Sequence, residues 1–188
     1  IVMLGDVQKT KLAAIEAEWE TEPAPAAFTL FGLPNQQAQR TDYAVKIPYA
    51  MGIIATRSLD QQVTGIKDLI AQHEVRIRNG MLAYGLLEQL RSGTKDAATI
   101  AAFNAVKQDL GYGLLLKKYT PAVVDASDEQ IRLASLDTIP HVATMFWTFR
   151  AMVASGFLML LLFTLAAWAS IKRDAENKPW LLRFALYS

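Results

Sequence analysis

The apolar positions of this 188-residue chain fall into two regimes. Up to about residue 141 they are scattered among charges, singly or in short groups. From Ala151 to Ile171 they run for 21 residues without one charge. A stretch of that length matches a hydrocarbon core, which takes ~20 apolar residues. It predicts a transmembrane helix, opened by Pro140 near the first turn, where a missing N–H is tolerated. Trp180-Leu-Leu-Arg-Phe-Ala-Leu-Tyr187 reads as the start of a second such segment. Upstream, residues 6–20 are predicted helical, with Asp6 as N-cap. Residues 22–35 read as an extended, Pro-punctuated loop and 35–46 as polar surface. The short apolar run 47–55 has no assigned type. Residues 60–91 hold one long or two short helices, because Ile66, Leu69, Ile70, Ile77, Met81, Tyr84 and Leu87 recur with a helical period. Ser92-Gly93 ends them, and 95–110 is a further amphipathic helix. Ser127 and Gln130 form a capping-box start for a helix to about Leu136. No sheet is predicted. The fold class is an all-α membrane protein: a mostly helical extracytoplasmic loop domain (1–139), a transmembrane helix (140–171), a cytoplasmic linker (172–179) and the start of another transmembrane helix (180–188).

Charge refines this division. Residues 1–141 carry 14 Lys/Arg against 16 Asp/Glu, whereas the linker is basic through Lys172, Arg173 and Lys178. Basic residues close to a span end favour the cytoplasmic side, which puts the large domain outside. No basic stripe runs through that domain, so nucleic acid is excluded as a partner. Without cysteine there is no disulfide and no thiolate chemistry. The chain opens on Ile1 and stops inside an apolar run, so further membrane helices are expected on both sides.

Two places carry candidate chemistry. On a wheel of about 100° per residue, Leu12, Ile15 and Trp19 share a stripe, with Lys11 on one flank and Glu16 on the other. A flat apolar ligand on the stripe would meet an ammonium along one edge and a carboxylate along the other. A carboxylate beside a ligand hydroxyl can take its proton. An ordinary surface helix packed by its stripe has the same pattern. In the apolar run, Phe149, Met152, Gly156 and Met159 share a face, and Ala151, Ala154 and Ser155 keep the stretch small. Small residues let a helix or a planar cofactor approach the backbone. Methionine sulfur is an axial ligand for haem iron, and Arg150 would pair with a propionate. Equally, Met152 is apolar filling and Arg150 snorkels to the interface. Of the two histidines, His73 reads as a surface residue and His141 as interfacial. They form no pair at metal-binding spacing. Gly111-Tyr-Gly113 is no phosphate loop.

The run Gly5-Asp-Val-Gln-Lys-Thr-Lys-Leu-Ala-Ala-Ile-Glu-Ala-Glu-Trp-Glu20 resembles the start of the quinol-binding loop of the cytochrome bd ubiquinol oxidase subunit I family. The likeness continues through Pro23-Ala-Pro-Ala-Ala-Phe28, Ile53-Ile-Ala-Thr-Arg57, Arg76-Ile-Arg-Asn-Gly-Met81, Leu86-Leu-Glu-Gln-Leu-Arg-Ser-Gly93 and Asp109-Leu-Gly-Tyr-Gly-Leu-Leu-Leu-Lys117. It ends in Phe149-Arg-Ala-Met-Val-Ala154 and Trp180-Leu-Leu-Arg183. It covers essentially the whole chain and is of the long-loop type. The resemblance implies part of a terminal respiratory oxidase of the bacterial inner membrane. Such an enzyme oxidises ubiquinol at the periplasmic face, reduces dioxygen to water and generates a membrane potential. It uses two b-type haems and one d-type haem. The resemblance further implies that Lys11 and Glu16 bind and oxidise quinol, that Met152 ligates the low-spin haem b iron, and that Arg150 influences that haem. Residues 1–139 become the periplasmic quinol-binding domain. The implied partners are the remainder of subunit I, subunit II, a small accessory subunit, ubiquinol and lipid. The chain alone is not expected to be active. A different class, an extracytoplasmic sensor or receptor domain on membrane helices with no redox role, explains the charge split but not the ordered matches.

Overall fold

A computed structural model describes residues 8–24, 26–49, 62–93, 96–172 and 178–187. The expectations placed on Asp6, on Asp60 as a helix start, on most of the run 47–55, on Arg57 and on the interior of the linker lie outside them. The chain divides into two units, Ile1–Met145 and Phe146–Ser188.

The first unit is built on helix α2 (Ile66–Arg91), 26 residues long. At about 1.5 Å per residue it spans some ~39 Å. Its buried positions Ile66, Leu69, His73, Ile77, Gly80 and Ala83 recur every three or four residues, so one stripe faces inward. Along that stripe lie α3 (Ala97–Val106), α4 (Leu110–Leu114) and α5 (Asp128–Asp137). The main core joins Ile77 to Leu116, Val123, Ile131 and Ala134, with Met81, Tyr84, Tyr112 and Tyr119 packed on it. Two glycines let α2 and α4 touch backbone to backbone: a Cβ on Gly80 would lie 2.3 Å from the Gly113 nitrogen. That contact is what Gly111-Tyr-Gly113 provides. Beside it, buried Asp109 accepts from Arg76 Nε at 2.7 Å and Asn79 Nδ2 at 3.1 Å. The predicted capping box opens α5: Ser127 Oγ accepts from the Gln130 N–H at 3.3 Å, and Gln130 Oε1 from the Ser127 N–H at 2.9 Å.

A short helix α1 (Lys9–Glu16) precedes an antiparallel hairpin of β1 (Phe28–Asn35) and β2 (Arg40–Ile47). This hairpin corrects the expectation of an all-α chain with a polar loop at 35–46. Pro34, Gly32 and the charges of β2 weaken the strand signal. The register also shifts between Thr29 and Phe31 and again between Phe31 and Leu33, which breaks the alternation a strand is read by. Asn35 Oδ1 accepts from the Ala38 N–H at 3.0 Å and sets the turn. Within that turn, Gln36 Oε1 accepts from the Val142 N–H at 3.0 Å.

Helix α6 (Val142–Ile171) is long and apolar enough to cross a membrane. His141 Nδ1 caps its start by accepting from the Thr144 N–H at 3.3 Å, so His141 has a structural task there. In the second unit, Leu162 and Ala169 pack against Leu181 of α7 (Pro179–Tyr187). The Lys172 ammonium lies 4.7 Å from the centre of the Trp168 ring.

Substituting Gly80→Ala forces α2 and α4 apart. It is expected to cost about 1–3 kcal/mol, read as a lowered melting temperature of the full-length protein. An unchanged melting temperature would show that the two backbones can separate at this point without cost.

Candidate functional site

Helix α1 ends earlier than the sequence pattern predicts. Ala17 adopts the left-handed conformation, φ 51° and ψ 41°, and stops the helix at Glu16. The following turn is closed by bonds from the Ala17 N–H to the Ala14 carbonyl at 3.3 Å and the Glu18 N–H to the Ala13 carbonyl at 3.0 Å. A non-glycine residue in that region costs roughly 1–2 kcal/mol. Trp19 therefore leaves the helical stripe assigned to it. It is buried, and its indole N–H donates to Thr41 Oγ1 at 3.1 Å, while the Thr41 hydroxyl donates to the Ala17 carbonyl at 2.9 Å.

The turn spends its freed backbone groups on α2. The Glu18 carbonyl accepts from the Ile66 N–H at 2.9 Å, and the Trp19 carbonyl from the Lys67 N–H at 3.1 Å. Thr21 Oγ1 accepts from the Gly65 N–H at 2.9 Å, and its hydroxyl donates to Asp68. Early donors of a helix have no partner within it, so this loop completes α2. The two segments pass so closely that a Cβ on Gly65 would lie 2.3 Å from the Glu20 carbonyl carbon.

Within this frame Glu16 is 3 % exposed and Glu18 is 8 % exposed. Lys46 of β2 reaches Glu18 Oε2 at 3.3 Å and also pairs with Glu22. Burial pushes the Glu18 carboxyl up to about 7; the Lys46 charge opposes that shift, and the Glu22 and Glu16 charges add to it. Burial also works against the Lys46 ammonium, but its bonds to Glu22 and Glu18 outweigh it and raise its pKa. The sequence reading passed over Glu18 and Lys46. A signal for the first existed: Glu16, Glu18, Glu20 and Glu22 recur at every second position, the period of extended chain and not of a helix.

Lys11 is exposed on α1 and lines a cleft of about 390 Å³ with Gln8, Thr10, Asp137, Thr138 and Pro140. Glu16 is not among the residues of that cleft, so the two flanks of the predicted stripe separate: the lysine faces open space and the carboxylate is covered. A second cleft, about 520 Å³, is lined by Glu18, Lys46, Glu22, Thr41 and Arg40, among others. His73, read as a surface residue, is buried. Its Nδ1 lies 2.6 Å from Thr138 Oγ1, its ring 5.5 Å from that of Tyr112, and burial followed by the Arg76 charge lowers its pKa.

The remaining two candidates belong to the second unit. Met152 is 62 % exposed on α6. Nothing lies within 4 Å of where a Cβ on Gly156 would stand, one turn further along. The Arg150 guanidinium folds over the Phe146 ring, 3.4 Å from its centre, and donates to the Phe146 carbonyl at 3.1 Å. Among the described residues no cluster of three or more His, Asp or Glu is placed to hold a metal ion.

A family model described as cytochrome bd terminal oxidase subunit I matches residues 2–188. The chain belongs to that family. It is 40 % identical over 185 residues to cytochrome bd-II ubiquinol oxidase subunit 1 of Escherichia coli K12, covering 98 % of this chain and 36 % of that protein. It is 25 % identical over 183 residues to cytochrome bd ubiquinol oxidase subunit 1 of Bacillus subtilis 168, covering 97 % of this chain and 27 % of that one. The chain thus spans about a third of the length of these relatives.

Opposite effects are expected from two substitutions at the turn. Ala17→Gly relieves the left-handed residue and should stabilise the protein by about 0.5–1 kcal/mol. Gly65→Ala drives a methyl group into Glu20 and should destabilise it by about 1–3 kcal/mol. Thermal unfolding of the full-length protein measures both, and shifts of the same sign would contradict the geometry.

Proposed function

We propose that this chain supplies the quinol-oxidising domain and a haem-ligating helix of a terminal respiratory oxidase in the bacterial inner membrane. One observation carries the reading: in a member of this family, a covered carboxylate, Glu16, is fixed at the end of α1 by the turn at Ala17, on the same short helix as the exposed Lys11. Ubiquinol is the substrate, approached from the periplasmic side by residues 1–139.

Quinol oxidation releases two electrons and two protons, so the site needs a base that is shielded from bulk water and a group that orients the hydroxyls. Lys11 donates a hydrogen bond to a quinol oxygen. Glu16 accepts a proton, as a positioned carboxylate can. Met152 and Arg150 fit a haem b. The thioether is a neutral soft donor on an open helix face, next to the small residues Ala151, Ala154, Ser155 and Gly156, and the guanidinium two residues away offers a positive charge for a propionate. When bound, that haem supplies a one-electron acceptor for the quinol. Dioxygen reduction, with the second haem b and haem d, belongs to the remainder of subunit I; subunit II and a small accessory subunit complete the assembly. Release of quinol protons outside, with protons for water drawn from inside, builds the membrane potential.

Two measurements on the full-length oxidase in membranes test this. Glu16→Gln should lower quinol-driven oxygen uptake by about 10²-fold, and Lys11→Ala should raise the KM for quinol, both with normal haem spectra. Unchanged kinetics in both variants would remove them from the site. Met152→Leu should abolish or shift the haem b band in the reduced-minus-oxidised visible spectrum while the haem d band stays. An identical spectrum would show that Met152 is packing.

A further inference from the structure

A base that is covered must still lose its proton once per turnover, and Glu16 has very little exposed surface through which to do so. The structure offers a route. Two residues on, past the left-handed turn at Ala17, lies Glu18, which is buried as well; the Glu16 charge adds to the rise in its proton affinity. The Glu18 side chain is 10 % exposed. Lys46 holds it from the other side, at 3.3 Å and 3.5 Å to its two oxygens, and carries the contact on to Glu22, whose side chain is 26 % exposed. Glu22 Oε2 is itself fixed by the Ala27 N–H at 3.3 Å. Exposure thus rises along Glu16, Glu18 and Glu22, and the last two line the same 520 Å³ cleft.

We propose that Glu18, held by Lys46, is the relay that takes the proton from Glu16 and delivers it to this cleft. The inference rests on the reading of Glu16 as the quinol base. Glu18 touches no substrate; it is a positioning residue that acts through Glu16. Protonated Glu16 passes its proton, directly or through one water, to the Glu18 carboxylate and becomes a carboxylate again. Glu18 then gives the proton to water beside Lys46 and Glu22. No electron moves along this path.

Such a group works only when its affinity for a proton lies close to the ambient pH, and burial places Glu18 at about 7. The charged groups around it come from every neighbouring element. Glu16 stands on α1, Glu22 follows on the same loop, and Lys46 stands on β2. Lys67 of α2 is paired with Glu20 at 2.9 Å, and Arg40 of β2 with Asp42 at 2.9 Å. Among the described residues, Lys46 and Glu22 carry the contacts from Glu18 toward the surface. Turnover should therefore rise with pH through about 7, as Glu18 ionises and can accept. Removing the Lys46 cation should raise the proton affinity of Glu18 and move that limb to higher pH.

The test is the pH profile of quinol-driven oxygen uptake by the full-length oxidase in membranes, with the haem spectrum of each variant as the check on assembly. Glu18→Gln is expected to lower turnover about tenfold and to flatten the limb near pH 7. Glu18→Asp should restore the limb. Lys46→Met should move it alkaline, and Lys46→Arg should leave it in place. A wild-type profile in assembled Glu18→Gln would overturn the relay. If Glu18→Gln fails to assemble, the Lys46 pair decides: an alkaline shift with Met alone supports the relay, and no shift overturns it. Unaltered turnover in Glu16→Gln would bring down the quinol-site reading and the relay together. Impaired Glu16→Gln beside wild-type behaviour in the Glu18 and Lys46 variants would bring down the relay alone.

Discussion

The first unit depends on how the N-terminus of α2 is satisfied. A 26-residue helix presents early N–H groups with no partner of their own. Here no side chain at its N-cap, Gly65, can help. The loop after α1 does it instead, with the carbonyls of Glu18 and Trp19 and the hydroxyl of Thr21. That service fixes the loop to within a hydrogen-bond length. It requires the chain to turn sharply after Glu16, which explains the left-handed Ala17, and it leaves room only for glycine at position 65. A strained residue persists where surrounding structure over-determines it, and the caps, Thr41 and Trp19 together do so.

The same turn sets the electrostatics of the candidate site. It takes Glu16 and Glu18 out of water within two residues of each other. Burying two carboxylates so close is costly unless something offsets it. Lys46, brought in by the hairpin, offsets part of it, and the remainder appears as a raised proton affinity on Glu18. Hairpin and helix therefore serve one purpose: β2 supplies the cation and the Thr41 bridge, α2 supplies the rigid reference. A buried carboxylate whose proton affinity is raised toward neutral pH, lining a cleft, marks a candidate functional site.

The second unit obeys a different constraint. Its long helix buries few side chains against the chain's own residues, and Phe157, Leu160 and Phe163 remain exposed. In hydrocarbon such a surface costs nothing, and helices associate there through small residues and specific polar contacts. On it Met152 stands exposed, and the Arg150 guanidinium folds back over the Phe146 ring.

Composition and period alone determined a good deal about this protein. The uncharged run 151–171 named the long helix, the recurrence of Ile66, Leu69 and Ile77 placed the spine, and Ser127 with Gln130 marked the start of α5, because each is a local rule with a short range. Ordered matches along the chain carry its family. Tertiary structure decided the rest. The α1 pattern continues past Glu16, but a left-handed residue and the demand of α2 for caps stop it there. Strand β2 is too polar and too irregular in register to be read as a strand, yet pairing with β1 makes it one. His73 looks like a surface residue until α4 and α5 close over it. Glu18 and Lys46, 28 positions apart, become partners only through that folding, since the proton affinity of a buried acid is a property of its surroundings and not of its place in the chain.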